Sequence, residues 1–140
     1  MDEVLARNIQ AFEAAQCLPA PVFFDRAIPE CVAHMRLLGL TVTPRQAAAA
    51  TEYRYATTVY VAEPWPEVYV CDRWRRASFE RAARSFEPTV AAYREAEYGA
   101  CTLPKVSVPE RVAFVLERLA SAPDNRFQPS AAEAMMSRRG

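Results

Sequence analysis

Apolar residues recur at helical spacing in five stretches of the chain, and three short apolar runs lie between them. The helical stretches predict α-helices at residues 2–16, 29–38, 44–54, 72–98 and 107–120, with Gly39 and Gly99 as helix ends and a kink at Pro88. The apolar runs predict buried strands at residues 22–24, 58–62 and 100–104. Because strands alternate with helices, the pattern predicts an α/β fold with a parallel sheet covered by helices on both faces.

The composition indicates one domain of ordinary size. The chain has 140 residues, 51% of them hydrophobic, and we predict an ordered part at residues 1–120 and a disordered tail at residues 121–140.

The 17 basic and 17 acidic residues balance, which argues against nucleic acid or an anionic membrane as partner. Four cysteines without a CxxC pair and one histidine suggest neither zinc nor disulfides. With an acidic N-terminus and no long apolar run, we expect a soluble cytoplasmic protein.

An acid and a base stand side by side where the first predicted strand ends. Asp25 and Arg26 follow Val22–Phe24 directly. In open parallel sheets ligands bind beyond the carboxyl ends of the strands. A carboxylate there can hold Mg²⁺ or act as general base, and an adjacent arginine can bind a phosphate oxygen. The alternative is that Asp25 only caps the helix that follows.

A second arginine-bearing element follows the second predicted strand. Arginines that suit a clamp on a transferring phosphoryl group occur on one predicted helix: Arg73, Arg75, Arg76, Arg81 and Arg84. The alternative is a solvated helix face with Glu80 and Glu87 as ion-pair partners. Two arginine-bearing elements in one short chain favour phosphate chemistry.

Three segments in order carry a family resemblance: "PVFFDRAIPECVAHMRLLGL", "YRYATTVYVAEPWPEVYVCDRWRRASFERAARSFEPTVAAYRE" and "TLPKVSVPERVAFVLERL". Together they resemble the AAA domain of bacterial P-loop ATPases and kinase-like proteins shared with the NadR-type nicotinamide-nucleotide proteins, from about Val4 to Leu119. The resemblance implies a three-layer αβα P-loop NTPase-like fold. It also implies ATP and Mg²⁺ as cofactors and an unknown small-molecule acceptor as second substrate.

The resemblance also implies roles for single residues. Asp25 matches the Walker B aspartate, which is a metal ligand and a catalytic residue in the family. Arg26 matches the catalytic arginine that follows this aspartate. Arg75 and Arg76 match catalytic arginines of a lid, and a loop near the nucleotide base is matched by Pro104 and Lys105. The chain departs from the family pattern at three positions: Ala27 replaces a glycine, Glu30 replaces an aspartate, and Trp74 replaces an acidic residue.

The sequence contains no GxxxxGK[ST] motif and only three glycines. The family's phosphate-binding loop and first strand are therefore absent from the predicted sheet, which is incomplete. Met1 aligns with the interior of a family helix, so we expect either a reading frame that begins too late or a decayed remnant. Exposed strand edges predict self-association. Two functions remain open: a P-loop ATPase or small-molecule kinase, inactive as the 140-residue chain, or a non-catalytic interaction module without nucleotide turnover.

Overall fold

The computed structural model of the chain describes residues 2–70 and 78–121. These residues form five α-helices, two β-strands and a short 3-10 turn at Pro66–Val68: α1 (Asp2–Ala15), α2 (Ile28–Leu37), α3 (Pro44–Glu52), β1 (Thr58–Val61), α4 (Phe79–Glu95), β2 (Gly99–Thr102) and α5 (Val108–Ser121). Five helices and two of the three predicted strands are confirmed within this part of the chain. The predicted start of the fourth helix at residue 72 is wrong, because α4 begins at Phe79 with Ser78 as its extended N-cap. The predicted tail lies outside the described residues except for Ser121, which ends α5.

The two strands form a parallel sheet, as predicted. Thr58 pairs with Gly99 and Val61 with Thr102, and α4 makes the crossover between the strands. The backbone N–H of Gly99 donates to Thr57 O at 2.9 Å, and that of Leu103 donates to Val61 O at 2.8 Å. The mixed helix and strand order is compatible with a P-loop-like α/β fold, while the three-layer arrangement stays a prediction.

The predicted strand at Val22–Phe24 is wrong. These residues are extended but pair with no strand in the described part of the chain, and the Phe23 side chain is 63% exposed. A strand exists only through hydrogen bonds to a neighbour, and none of the described strands lies next to this run. Its apolar side chains are partly used for packing instead, since the Phe24 ring meets Tyr55 edge-on at 4.9 Å between centroids.

Two helices, α2 and α4, end with a residue in the left-handed conformation one position after the C-cap. At the end of α2, Gly39 has φ 67°, and Leu40 N–H donates to Met35 O at 2.9 Å, which confirms the predicted role of Gly39. The expectation that Gly99 ends the fourth helix is wrong, because α4 stops at Glu95. Glu97 takes the left-handed position with φ 63°, and Gly99 begins β2. Pro88 lies inside α4, and the kink predicted there stays a prediction.

Arg54 secures the end of α4. Its guanidinium donates to the backbone carbonyls of Ala96 and Glu97 and lies 4.6 Å from the ring centroid of Tyr98. These carbonyls follow the helix and lack intrahelical partners. The side chain therefore supplies hydrogen bonds and positive charge where the helix dipole is negative.

The core forms around α2, which packs on α1, α3 and α4. Ile28 is fully buried at the start of α2, and Phe12 of α1 is 2% exposed, with its ring edge-on to Tyr53 at 5.6 Å and to Tyr55 at 5.0 Å. Burial raises the pKa of Tyr55 to about 12 and also raises that of Tyr93. Within residues 2–70 and 78–121, none of the helices combines the length and apolar character needed to cross a membrane.

Candidate functional site

A cavity of about 1500 Å³ lies between residues 20–27, β1 and the helices α4 and α5. It exceeds the roughly 300–1,000 Å³ of pockets that enclose small ligands. Its walls are mostly apolar, with a few charged side chains. Both arginine-bearing elements singled out in the sequence contribute to these walls.

Asp25 and Arg26 line the cavity just before α2. The helix cap at this point is Ala27, with no hydrogen bond from a side chain, so the structure does not give Asp25 the capping role. Arg26 has φ 72°, a conformation that costs a residue with a side chain about 1–2 kcal/mol. Strained backbone of this kind occurs preferentially at functional sites.

Glu30 is a second carboxylate beside this pair. Arg26 Nη1 lies 3.6 Å from Glu30 Oε1, and the Glu30 side chain is 24% exposed. Burial raises the pKa of Glu30 and the nearby Asp25 charge raises it further, whereas Arg26 and His34 lower it. The Asp25 side chain is exposed, whereas the Glu30 side chain is partly shielded from solvent.

The carboxylate pair matches only part of what a magnesium site needs. Among the described residues there is no group of three or more histidine, cysteine, aspartate or glutamate side chains placed to hold a metal. Mg²⁺ commonly keeps several waters and takes one or two carboxylates together with substrate phosphates. Asp25 and Glu30 both line the cavity and are carboxylates of the kind such a site uses, and water and substrate phosphate would supply the remaining ligands.

Two further arginines, Arg81 of α4 and Arg111 of α5, line the same cavity. The Arg111 guanidinium lies 5.8 Å from the ring centroid of Trp65, and its Nε is shielded from solvent without a hydrogen-bond partner among the described residues. A shielded, unsatisfied donor is uncommon in native proteins. Arg111 lies within the third segment that carries the family resemblance, and that segment is the sequence signal for a role of this residue.

Two of the remaining predicted site residues, Pro104 and Lys105, are not brought to the cavity. Pro104 and Lys105 follow β2 and do not contribute to its wall, and Lys105 Nζ lies 3.7 Å from Glu63 Oε2. Arg75 and Arg76 lie outside the described residues. Their roles, like the role of Lys105 near a nucleotide base, stay predictions.

Comparison with known proteins identifies the family. A family model described as an AAA domain matches residues 1–111, which include Asp25, Arg26, Lys105 and the charged residues that line the cavity. No curated protein and no solved structure shows a significant match. Since the model covers 111 of the 140 residues, the chain belongs to the AAA domain family.

Proposed function

We propose that this chain is a nucleotide-binding domain of the P-loop ATPase or kinase-like class, which uses ATP with Mg²⁺. The observation that carries the proposal is the cavity, whose charged lining residues all lie within the family-matched residues 1–111. Asp25 and Arg26 stand on one wall, and Arg81 and Arg111 contribute to the others. This combination of carboxylate and guanidinium groups suits a metal-bound polyphosphate.

The proposal gives a role to each residue that matches a family motif. Asp25 holds Mg²⁺ or takes a proton from an attacking hydroxyl, and Arg26 binds a phosphate oxygen. Arg75 and Arg76 close over the phosphates as a lid, and Pro104 and Lys105 lie near the base. A small-molecule acceptor, as in the NadR-type proteins, is the second substrate.

The sequence lacks the loop that binds the phosphates in P-loop proteins. The sequence has no GxxxxGK[ST] loop, whose backbone N–H groups and lysine hold the phosphates in P-loop proteins. Side chains must then carry the phosphate contacts of the 140-residue chain. We therefore expect it to bind Mg·ATP weakly and without turnover.

Calorimetric titration of the chain with ATP, with and without Mg²⁺, tests the proposal. Asp25→Asn should remove the Mg²⁺-dependent part of binding, because it removes the exposed carboxylate charge. Glu87→Gln, on the exposed side of α4, is the control and should bind as the parent does. The proposal fails if millimolar Mg·ATP produces no binding, or if Asp25→Asn leaves the Mg²⁺ dependence intact.

A non-catalytic interaction module is the second candidate. One observation favours it: among the described residues β1 pairs with β2 alone, and residues 58–62 line the cavity. An open strand edge beside an apolar cavity is suited to binding a polypeptide. Phosphoryl transfer by the 140-residue chain itself would contradict this candidate.

A further inference from the structure

Arg111 carries a charge that no described residue balances. It is the fourth residue of α5 and lines the cavity, and none of the ion pairs among the described residues includes it. Two carboxylates at this end of the sheet have other partners: Glu110 Oε2 accepts from Ser107 N–H at 3.0 Å, and Glu63 Oε2 lies 3.7 Å from Lys105 Nζ. A guanidinium without a counter-ion in a mostly apolar wall favours the binding of an anion.

The hydrogen-bonding state of Arg111 points the same way. Its Nε is shielded from solvent and has no hydrogen-bond partner among the described residues. Native proteins rarely leave a shielded donor unpaired, and such a group is often explained by a bound water, ion or ligand. The side chain as a whole is only half-buried and lines the cavity, so its donors are open to a ligand there.

Trp65 supplies a flat apolar surface beside this charge. The Arg111 guanidinium lies 5.8 Å from the centroid of its ring, and Trp65 is half-buried and lines the cavity. Pro64 and Pro66 flank it, and its carbonyl accepts from Val68 N–H at 3.4 Å in the 3-10 turn that follows. Prolines restrict the backbone on both sides, so the ring is held in place for stacking with another ring.

The position of this pair in the fold is one where ligands bind. Trp65 follows the last residue of β1 by four positions, and Arg111 lies near the start of the helix that follows β2. In open parallel sheets, ligands bind beyond the carboxyl ends of the strands. Val115 and Leu119 continue the stripe of Arg111 along α5 and also line the cavity. The charge and the aromatic surface therefore adjoin an apolar wall.

We propose that Arg111 and Trp65 form a binding subsite for a planar aromatic compound that carries a carboxylate or phosphate group. The guanidinium binds two oxygens of the anionic group, and the ring of the ligand stacks on Trp65. Asp25 and Arg26 stand on another wall, just before α2, and stay available to metal and nucleotide. The proposal rests on the proposed function in one respect, since it makes this aromatic anion the second substrate.

NMR of the full chain with ¹⁵N-labelled arginine, without nucleotide, tests the subsite. The probes are benzoate and benzamide, which have nearly the same shape but differ in charge. Benzoate should shift the Nε–H resonance of Arg111 and bind about tenfold or more tighter than benzamide, because a charged hydrogen bond is the stronger one. Phenyl phosphate is the third probe. If it binds tighter than benzoate, the ligand class is a phosphate monoester, and if it binds more weakly, the class is a carboxylate; either result supports the subsite.

Matched variants locate the binding surface. Arg111→Gln should weaken benzoate binding by about tenfold or more. Trp65→Leu should reduce the preference for benzoate over acetate by about fivefold, because it removes the stacking surface. The control is Arg118→Gln: Arg118 lies on the same helix, 3.8 Å from the ring centroid of Phe114, and does not line the cavity. It should bind benzoate as the parent does, and urea denaturation of all three variants checks that they fold.

Four results would overturn the proposal. The first is equal binding of benzoate and benzamide, and the second is benzoate binding that leaves the Arg111 Nε–H resonance unmoved. The third is an equal loss of affinity in Arg111→Gln and Arg118→Gln. The fourth is displacement of benzoate by Mg·ATP, which would assign Arg111 to the nucleotide. A failure of the chain to bind Mg·ATP would count against the proposed function alone, because benzoate is measured without nucleotide.

Discussion

Replacing Arg26 with glycine separates a functional role of this residue from a structural one. Arg26 holds φ 72° next to Asp25, and glycine adopts that conformation without steric cost. If the strained arginine serves ligand binding, Arg26→Gly should leave stability unchanged or raise it while it weakens the binding of Mg·ATP. A residue with a purely structural role would not lower Mg·ATP affinity while its replacement leaves stability unchanged or raises it.

The expected change in stability follows from three contributions. Relief of the left-handed conformation stabilises by about 1–2 kcal/mol. The greater freedom of glycine in the unfolded chain costs about 0.5–1 kcal/mol. The ion pair with Glu30 is long at 3.6 Å and its arginine is 73% exposed, so its loss costs at most about 0.5 kcal/mol. The net change lies between about −0.5 and +1.5 kcal/mol, or up to about 5 °C in Tm.

Urea denaturation and ATP calorimetry on the same protein samples measure both effects. Loss of a charged hydrogen bond to phosphate should weaken ATP binding by about tenfold or more. Glu97→Gly is the matched control, since Glu97 has φ 63° and does not line the cavity. It should change the free energy of unfolding by about 0 to +1.5 kcal/mol and leave ATP binding unchanged.

A functional origin of the strain at Arg26 is refuted if Arg26→Gly lowers the free energy of unfolding by more than about 1 kcal/mol while Glu97→Gly raises it. Arg26 would then stabilise the fold through contacts other than its ion pair. Unchanged ATP affinity in Arg26→Gly would refute its role in phosphate binding, whatever happens to stability.

Three further changes probe the fold and the electrostatics of the site. Phe12→Leu should cost about 1–3 kcal/mol in urea denaturation, because it removes both edge-on ring contacts, and a loss below about 0.5 kcal/mol would contradict this. Thr43→Ala should lower the free energy of unfolding by about 1 kcal/mol, because it removes the cap at the start of α3. In this cap Thr43 Oγ1 accepts a hydrogen bond from Gln46 N–H, and the Gln46 side chain accepts one from Thr43 N–H. An unchanged urea midpoint would count against the cap. Burial raises the pKa of Glu30 above its usual 4.5, so the folded chain keeps a proton that the unfolded chain has lost. Stability should therefore fall as pH rises from 4.5 through the raised pKa, and Glu30→Gln should remove that part of the pH profile; an identical slope in both proteins would show that Glu30 is not responsible.

Local sequence rules predict most of the helices of this fold. The proline at the start of α3 and the cap at Thr43 set that helix, and Gly39 ends α2 as expected, because these signals act over a few neighbouring residues. Gly99 misled the prediction of the end of α4. Arg54 satisfies carbonyls there from a distant part of the chain, a contact that no local signal reveals.

The prediction for residues 22–24 fails for a related reason. Composition identifies Val22–Phe24 as an apolar run that favours strands, but pairing depends on a neighbour that the run itself does not specify. For the site, Asp25 and Arg26 both line the cavity, whereas Lys105 does not line it and lies near Glu63. The shielding of Glu30 and of Arg111 depends on packing between distant parts of the chain, which the sequence does not reveal.

The contact between Arg54 and the end of α4 has a consequence for the order of folding events. The residues it joins are 42 and 43 positions apart in sequence, close to the 41 positions that separate paired residues of β1 and β2. Closing a loop of this length is the main entropic cost of parallel pairing, and it is incurred once for both contacts. We therefore expect Arg54 and the β1–β2 pairing to form in the same kinetic step. Removing the guanidinium should slow folding more than it speeds unfolding.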